Sequence, residues 1–372
     1  MRTGAWLLLF FSIVGAEAHA RPLAEMVRDL NALQNRMAMG DIAARDEAAR
    51  QFDRIEKATF AAEPDFLREE RDARSAVIYL LCGGGAGGLR AIFEAKRANE
   101  ILAPLLDVSL RYAEGDAGAL QTLLQFDPRR YPAGLGGHLA LVQAGGLIGS
   151  DNGRAIALLD LARLLLPGSL VEEAALRREI SILDPVRESD KLGLLAVRYA
   201  AIYASSPFAR QFWGLLPNMA RGASVSSLFA SRFSLVLDKA PAPDRTAAYL
   251  ALARRALLAG KFPDAGKAVE TAERGDLDDR AKRRVEIYRS ALSVLEEKRS
   301  VAALRDIETK GLPTEDVQLV QLVASVGEKL ARPIEKKAPV GGSDAGEKSE
   351  MATAIREALA RTDELLKRAD GK

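Results

Sequence analysis

Apolar residues recur along this chain at the spacing of a helix rather than a strand. Tyr249, Leu252, Ala253 and Ala256 fall at i, i+3, i+4 and i+7, one face of a helix. Gly260 ends that helix, because glycine tolerates the left-handed geometry of a helix C-terminus. Phe262 then precedes Ala265, Val269 and Ala272, the face of a second helix. The small side chains of Ala253 and Ala265 let the two helices approach closely. Ala73, Ala76, Val77, Leu80 and Leu81 make a further helical face. No stretch alternates apolar and polar residues for long, so strands are not expected.

The same arrangement repeats as helical hairpins with Gly/Asp turns: around Gly40-Asp41, around Gly115-Asp116 and stopped by Asp127-Pro128, at 149–153, and at 259–266. Ser169-Leu170-Val171-Glu172 is a capping box opening the helix that follows. Ser206-Pro207 opens another, and its Phe208, Phe212 and Trp213 are spaced for core packing. The last hairpin resembles a tetratricopeptide repeat, a helix-turn-helix unit of about 34 residues. Ala155, Leu159, Ala162 and Pro167 echo it more weakly. The predicted fold is all-α, with hairpins stacked as a tetratricopeptide-like superhelix over 21–331. By that resemblance, the first helix of each pair lines the concave face. Leu250, Arg254 and Leu258 are then the expected partner-binding residues.

The chain ends differ from this body. Arg2, the apolar run Ala5–Val14 and Ala18-His19-Ala20 read as a signal peptide over 1–20, cleaved after Ala20. The mature protein is then expected outside the cytoplasm, and the single cysteine, Cys82, suggests a bacterial periplasm. Residues 332–350 are rich in Pro, Gly and Ser with mixed charge, a flexible linker. Met351, Ile355 and Leu359, then Leu365 and Leu366, predict a C-terminal amphipathic helix over 351–372.

Charge changes the picture little: the formal net is +2, which argues against nucleic acid as a partner. Residues 76–96 raise a sharper question. Gly83, Gly85 and Gly88 fit G-x-G-x-x-G, and Asp107 lies about 24 residues on, where a ribose-binding acid would sit. But the run before the glycines has helical spacing, and that site needs a strand. Leu89-Arg90 after the glycines rules out a P-loop. A bend between helices is the expectation, and no cofactor. One cysteine, Cys82, and His138 beyond the signal peptide leave too few ligands for a His/Cys metal cluster. No G-x-S-x-G elbow accompanies His138, which reads as a helix-start or packing residue. Glu188-Ser189 resembles the catalytic pair of lytic transglycosylases, but their aromatic-lined substrate motifs do not follow it. Glu172-Glu173 and Arg177-Arg178 read as a solvated or partner-facing stripe.

Four stretches together resemble the alphaproteobacterial MotC family: 75–85 (SAVIYLLCGGG), 135–144 (LGGHLALVQA), 159–180 (LDLARLLLPGSLVEEAALRREI) and 205–213 (SSPFARQFW). The resemblance covers most of 23–240. It implies a non-enzymatic periplasmic protein needed for flagellar rotation, which binds the periplasmic part of the stator protein MotB. It supplies no catalytic residues. The rival readings are a periplasmic adaptor in envelope assembly and a lytic transglycosylase-like enzyme acting on peptidoglycan.

Overall fold

The helices begin and end where their caps dictate. In the computed structural model, residues 22–95, 99–224, 226–275, 277–296 and 301–331 are described, and among them there are helices and no strand. Helix α1 (Leu23–Ala38) turns through Gly40 into α2 (Ile42–Phe60). Gly40 has φ +96°, and a Cβ there would lie 2.6 Å from the Ser205 Cβ. Asp41 caps α2 by accepting the Ala44 N–H at 3.2 Å. Next come α3 (Glu70–Leu81), α4 (Gly87–Glu94), α5 (Ala103–Ala113) and the short α6 (Ala119–Leu123). The third hairpin is α7 (Ala133–Leu147) against α8 (Asn152–Leu165), with Gly149 at φ +88° between them.

From there the chain runs through α9 (Leu170–Ile182), α10 (Ser189–Ile202), α11 (Ala209–Trp213), α12 (Leu216–Met219) and α13 (Ser227–Lys239). The fourth hairpin is α14 (Ala242–Leu258) against α15 (Phe262–Glu273). Its sequence pattern is realised residue by residue. Ala253, Ala265, Val269 and Ala272 are buried, Tyr249, Leu252 and Ala256 pack at the margin, and Gly260 turns at φ +69°. In α8, Ala155, Leu159 and Ala162 are likewise fully buried. The chain continues as α16 (Asp279–Glu296), α17 (Ala302–Arg305) and α18 (Thr314–Ala331).

The all-α expectation is met. The contacts, however, are not those of a regular solenoid, in which each repeat touches only its neighbours. Helix α1 packs against α9, and the Leu170 N–H donates to Asn35 Oδ1 at 3.0 Å although 135 residues separate them in sequence. Helix α10 packs on α13 as well as on its predecessor α9, and α3 touches α1, α5 and α7. An aromatic core of Tyr199, Tyr203, Phe212, Trp213, Phe229 and Phe233 fills the space between α10, α11 and α13. Phe212 and Trp213 thus pack as expected, although the helix carrying them starts at Ala209, past the Ser206-Pro207 turn.

The signal peptide, the linker at 332–350 and the C-terminal helix at 351–372 lie outside the described residues. No described helix is long and apolar enough to cross a membrane.

Candidate functional site

The glycine run is structural. Helix α3 ends at Leu81, and Gly83 then adopts φ +94°. The N–H groups of Gly83 and Gly84 close the helix end on the Leu80 and Tyr79 carbonyls, at 3.1 and 2.9 Å. Gly88 lies on α4 where it crosses the end of α2, and a Cβ there would lie 2.6 Å from the Thr59 carbonyl carbon. Backbone meets backbone, so the residue is held to glycine by packing and not by a phosphate. Asp107 is engaged by Arg90, whose Nη1 lies 3.4 Å away.

Other singled-out residues have local partners. Glu188 caps its own turn, accepting the Asp184 N–H at 2.9 Å just before α10. His138 lies inside α7, 7% exposed, with Nδ1 2.6 Å from the Gly134 carbonyl oxygen. Burial pushes its pKa below the ordinary histidine value, outweighing that hydrogen bond, so the ring is neutral at pH 7. Among the described residues, no group of three or more His, Cys, Asp or Glu could hold a metal ion.

The surface role expected for Leu250 is corrected by its burial. Leu250 is 1% exposed and shares a core with Ile287, Tyr288 and Leu304. Helix α16 packs across α14, so this part of the first helix faces protein rather than an open groove. Leu258 packs at the margin of the same core, and Arg254 is half-buried with no partner for Nε.

The acidic pair on α9 is likewise corrected. Glu172 and Glu173 are buried, as is Glu179 about two turns on. Residues 171–176 are all buried, so neighbours surround α9 on every side. Glu173 accepts the Tyr199 hydroxyl at 2.6 Å and pairs with Arg177 at 3.1 Å. Glu172 pairs with Arg198 and accepts the Tyr203 hydroxyl at 2.9 Å. Its capping contact falls on the Gly168 N–H at 2.6 Å, one residue before the N-cap, while the Ser169 hydroxyl accepts the Glu172 N–H as the capping box predicts. Burial raises the Glu172 pKa, but Arg198, the Gly168 N–H and Tyr203 outweigh it and hold the carboxyl below its ordinary range. Glu179 meets Lys191 at 2.6 Å and Arg163 at 3.4 Å; there burial wins, and its pKa is raised. Sequence reasoning missed this network. The signal was in α9 itself, whose apolar residues Leu170, Val171, Ala174, Ala175 and Ile180 leave no purely polar side.

Beside this network lies a cleft of about 320 Å³ between α1, α3, α7 and α9, with Phe208 also in its wall. Asn31, Gln34 and Asn35 come from one face of α1. Leu81 and Cys82 come from the end of α3, and His138, Leu141 and Val142 from α7. Arg177 and Arg178 project from α9, and the Arg177 guanidinium lies over the Phe208 ring, 5.4 Å from its centre. The Cys82 thiol is pushed up to about 12 by burial, so it is a neutral wall atom and not a nucleophile. All four stretches that carry the family resemblance contribute to this one cleft. Its volume and mixed lining fit binding of a small group or a short peptide segment.

The structure is that of an all-α protein of helical hairpins with a cleft between α1, α3, α7 and α9. The model of the family described as "Chemotaxis protein MotC" matches residues 2–371, and the chain belongs to that family. A chemotaxis protein MotC from Rhizobium meliloti (strain 1021) is 27% identical over 367 residues, covering 92% of this chain and 84% of its own. No solved structure matches.

Proposed function

We propose that this protein acts in flagellar rotation as a non-enzymatic periplasmic component that binds the periplasmic part of the stator protein MotB. Membership of a chemotaxis and motility family supports the process. The resemblance to that family supports the partner, and the N-terminal signal pattern supports the compartment. One observation carries a binding role. The four stretches that resemble the family are spread from 75 to 213 in sequence, yet they line a single cleft with both charged and apolar walls. Its titratable groups suit recognition better than turnover: His138 is neutral and buried, Cys82 is held protonated, and Glu173 is tied to Arg177 and Tyr199.

The test is a calorimetric titration of the mature chain, residues 21–372, with the periplasmic domain of MotB from the same organism. Saturable binding is the expected result. A folded, helical chain that takes up no partner at tens of micromolar would refute the assignment. Cell fractionation checks the compartment: the chain should appear in the osmotic-shock fluid, shortened by the leader.

A further inference from the structure

Arg178 is a charge without an opposite in this cleft. Its guanidinium is half-buried on α9, and Nη1 donates to the Leu141 carbonyl at 3.3 Å. No described carboxylate forms an ion pair with it; the nearby Glu173 is taken by Arg177 and Tyr199. Desolvation, with the adjacent Arg177, pushes the Arg178 pKa below the ordinary guanidinium range. A guanidinium has five N–H donors in a fork matched to a carboxylate, and here most of the fork is unused. Glu173 and Arg177 offset each other and His138 is neutral, so the cleft carries one surplus positive charge.

Two further features narrow the ligand. On the α1 wall, Asn31, Gln34 and Asn35 supply amide side chains, groups that can exchange hydrogen bonds with a peptide backbone. Leu141, Val142, Leu170 and Phe208 supply apolar wall. A cation, an amide-lined wall and an apolar wall within about 320 Å³ match a short piece of polypeptide rather than a phosphate.

We propose that the cleft receives a peptide segment of the partner that presents a carboxylate beside an apolar side chain, the carboxylate on Arg178 and the backbone along the amide side chains of α1. This rests on the proposed binding of the stator partner, and it names where and by what chemistry that partner is held.

The experiment has two arms on the full mature chain. In the first, hexanoate is titrated by calorimetry, with hexanol and hexylamine as neutral and cationic controls. Hexanoate should bind saturably and more tightly than either control. Arg178→Leu should weaken it by about tenfold or more, and Arg178→Lys should retain part of the affinity. Hexanoate binding no better than hexanol, or unchanged in Arg178→Leu, would overturn the anion site whatever the partner does. In the second arm, Arg178→Leu should weaken MotB binding, and hexanoate should compete with it. MotB binding that ignores both would overturn the inference while leaving the proposed function standing. No MotB binding by the unaltered chain would overturn the function and the peptide's identity together, with the hexanoate arm still deciding the anion site. Should Arg178→Leu fold poorly by circular dichroism, Val142→Trp, which fills the cleft and keeps the charge, replaces it with the same expected losses.

Discussion

Glu173 in α9 and Asp316 in α18 are both fully buried acids that meet a tyrosine and an arginine. The resemblance ends at the partners' addresses. Asp316 takes Arg284 at 2.7 Å and the Tyr288 hydroxyl, two residues one turn apart on α16. Arg284 also donates to the Tyr288 hydroxyl at 3.1 Å, so the triad is closed on itself and fastens two helices. Glu173 is one of three buried acids on α9, and their partners are spread. Lys191, Arg198 and Tyr199 come from α10 and Tyr203 from its C-cap, Arg163 from α8, and Arg177 from α9 itself. Arg177 extends the network to Gln211 on α11. The same chemistry is a local clasp in one region and a hub in the other. Burying a charge is costly unless it is fully paired, so the number of helices supplying partners sets how much structure depends on one acid.

The strongest way to break this contrast is Glu173→Ala. It leaves Arg177 and Tyr199 without their buried acceptor and should cost roughly 3–5 kcal/mol. Hydrogen exchange should accelerate across α8 to α11; acceleration confined to α9 would show that the hub is not one unit. Asp316→Ala should cost less, about 2–3 kcal/mol, because it removes two charge-assisted hydrogen bonds at the edge of the molecule. Faster exchange should then be limited to α16–α18, and loss of protection at α9 would dissolve the distinction between clasp and hub.

Acid titration separates the members of the hub. The Glu172 carboxyl is held below its ordinary pKa, so the stability it adds is present above the unfolded value and is lost as pH falls through the folded one. Glu179 has the opposite sign: its raised pKa favours the folded state at low pH, and that contribution is lost as pH rises through the folded value. Glu172→Gln should therefore destabilise the protein near neutrality and shrink its difference from the parent as the medium is acidified. Urea melts at several pH values read this directly; a constant difference would mean that Glu172 does not titrate as its partners dictate. The smallest effect is expected from Ser169→Ala, about 1 kcal/mol for a lost N-cap at the start of α9, visible as a modest drop in the thermal midpoint. A loss several times larger would mean that the cap positions Glu172 as well as starting the helix.

Helices and turns were legible from residue spacing alone. The fourth hairpin is correct down to Ala253, Ala265, Val269 and Gly260, because helical periodicity and the left-handed preference of glycine are local properties, written within one or two turns. The same logic dismissed the dinucleotide reading, since the residues before Gly83 have helical spacing. The tertiary structure decided which polar residues go inside and which apolar ones are covered. Glu172-Glu173 reads as a solvated stripe until α10 brings Arg198, Tyr199 and Tyr203 against it. Leu250 reads as groove lining until α16 crosses α14. The cleft is the clearest case: its walls come from segments as distant as Asn31 and Phe208, and no local pattern records that they meet. Burial of a charge depends on partners supplied from elsewhere in the chain, so only the packed molecule fixes it.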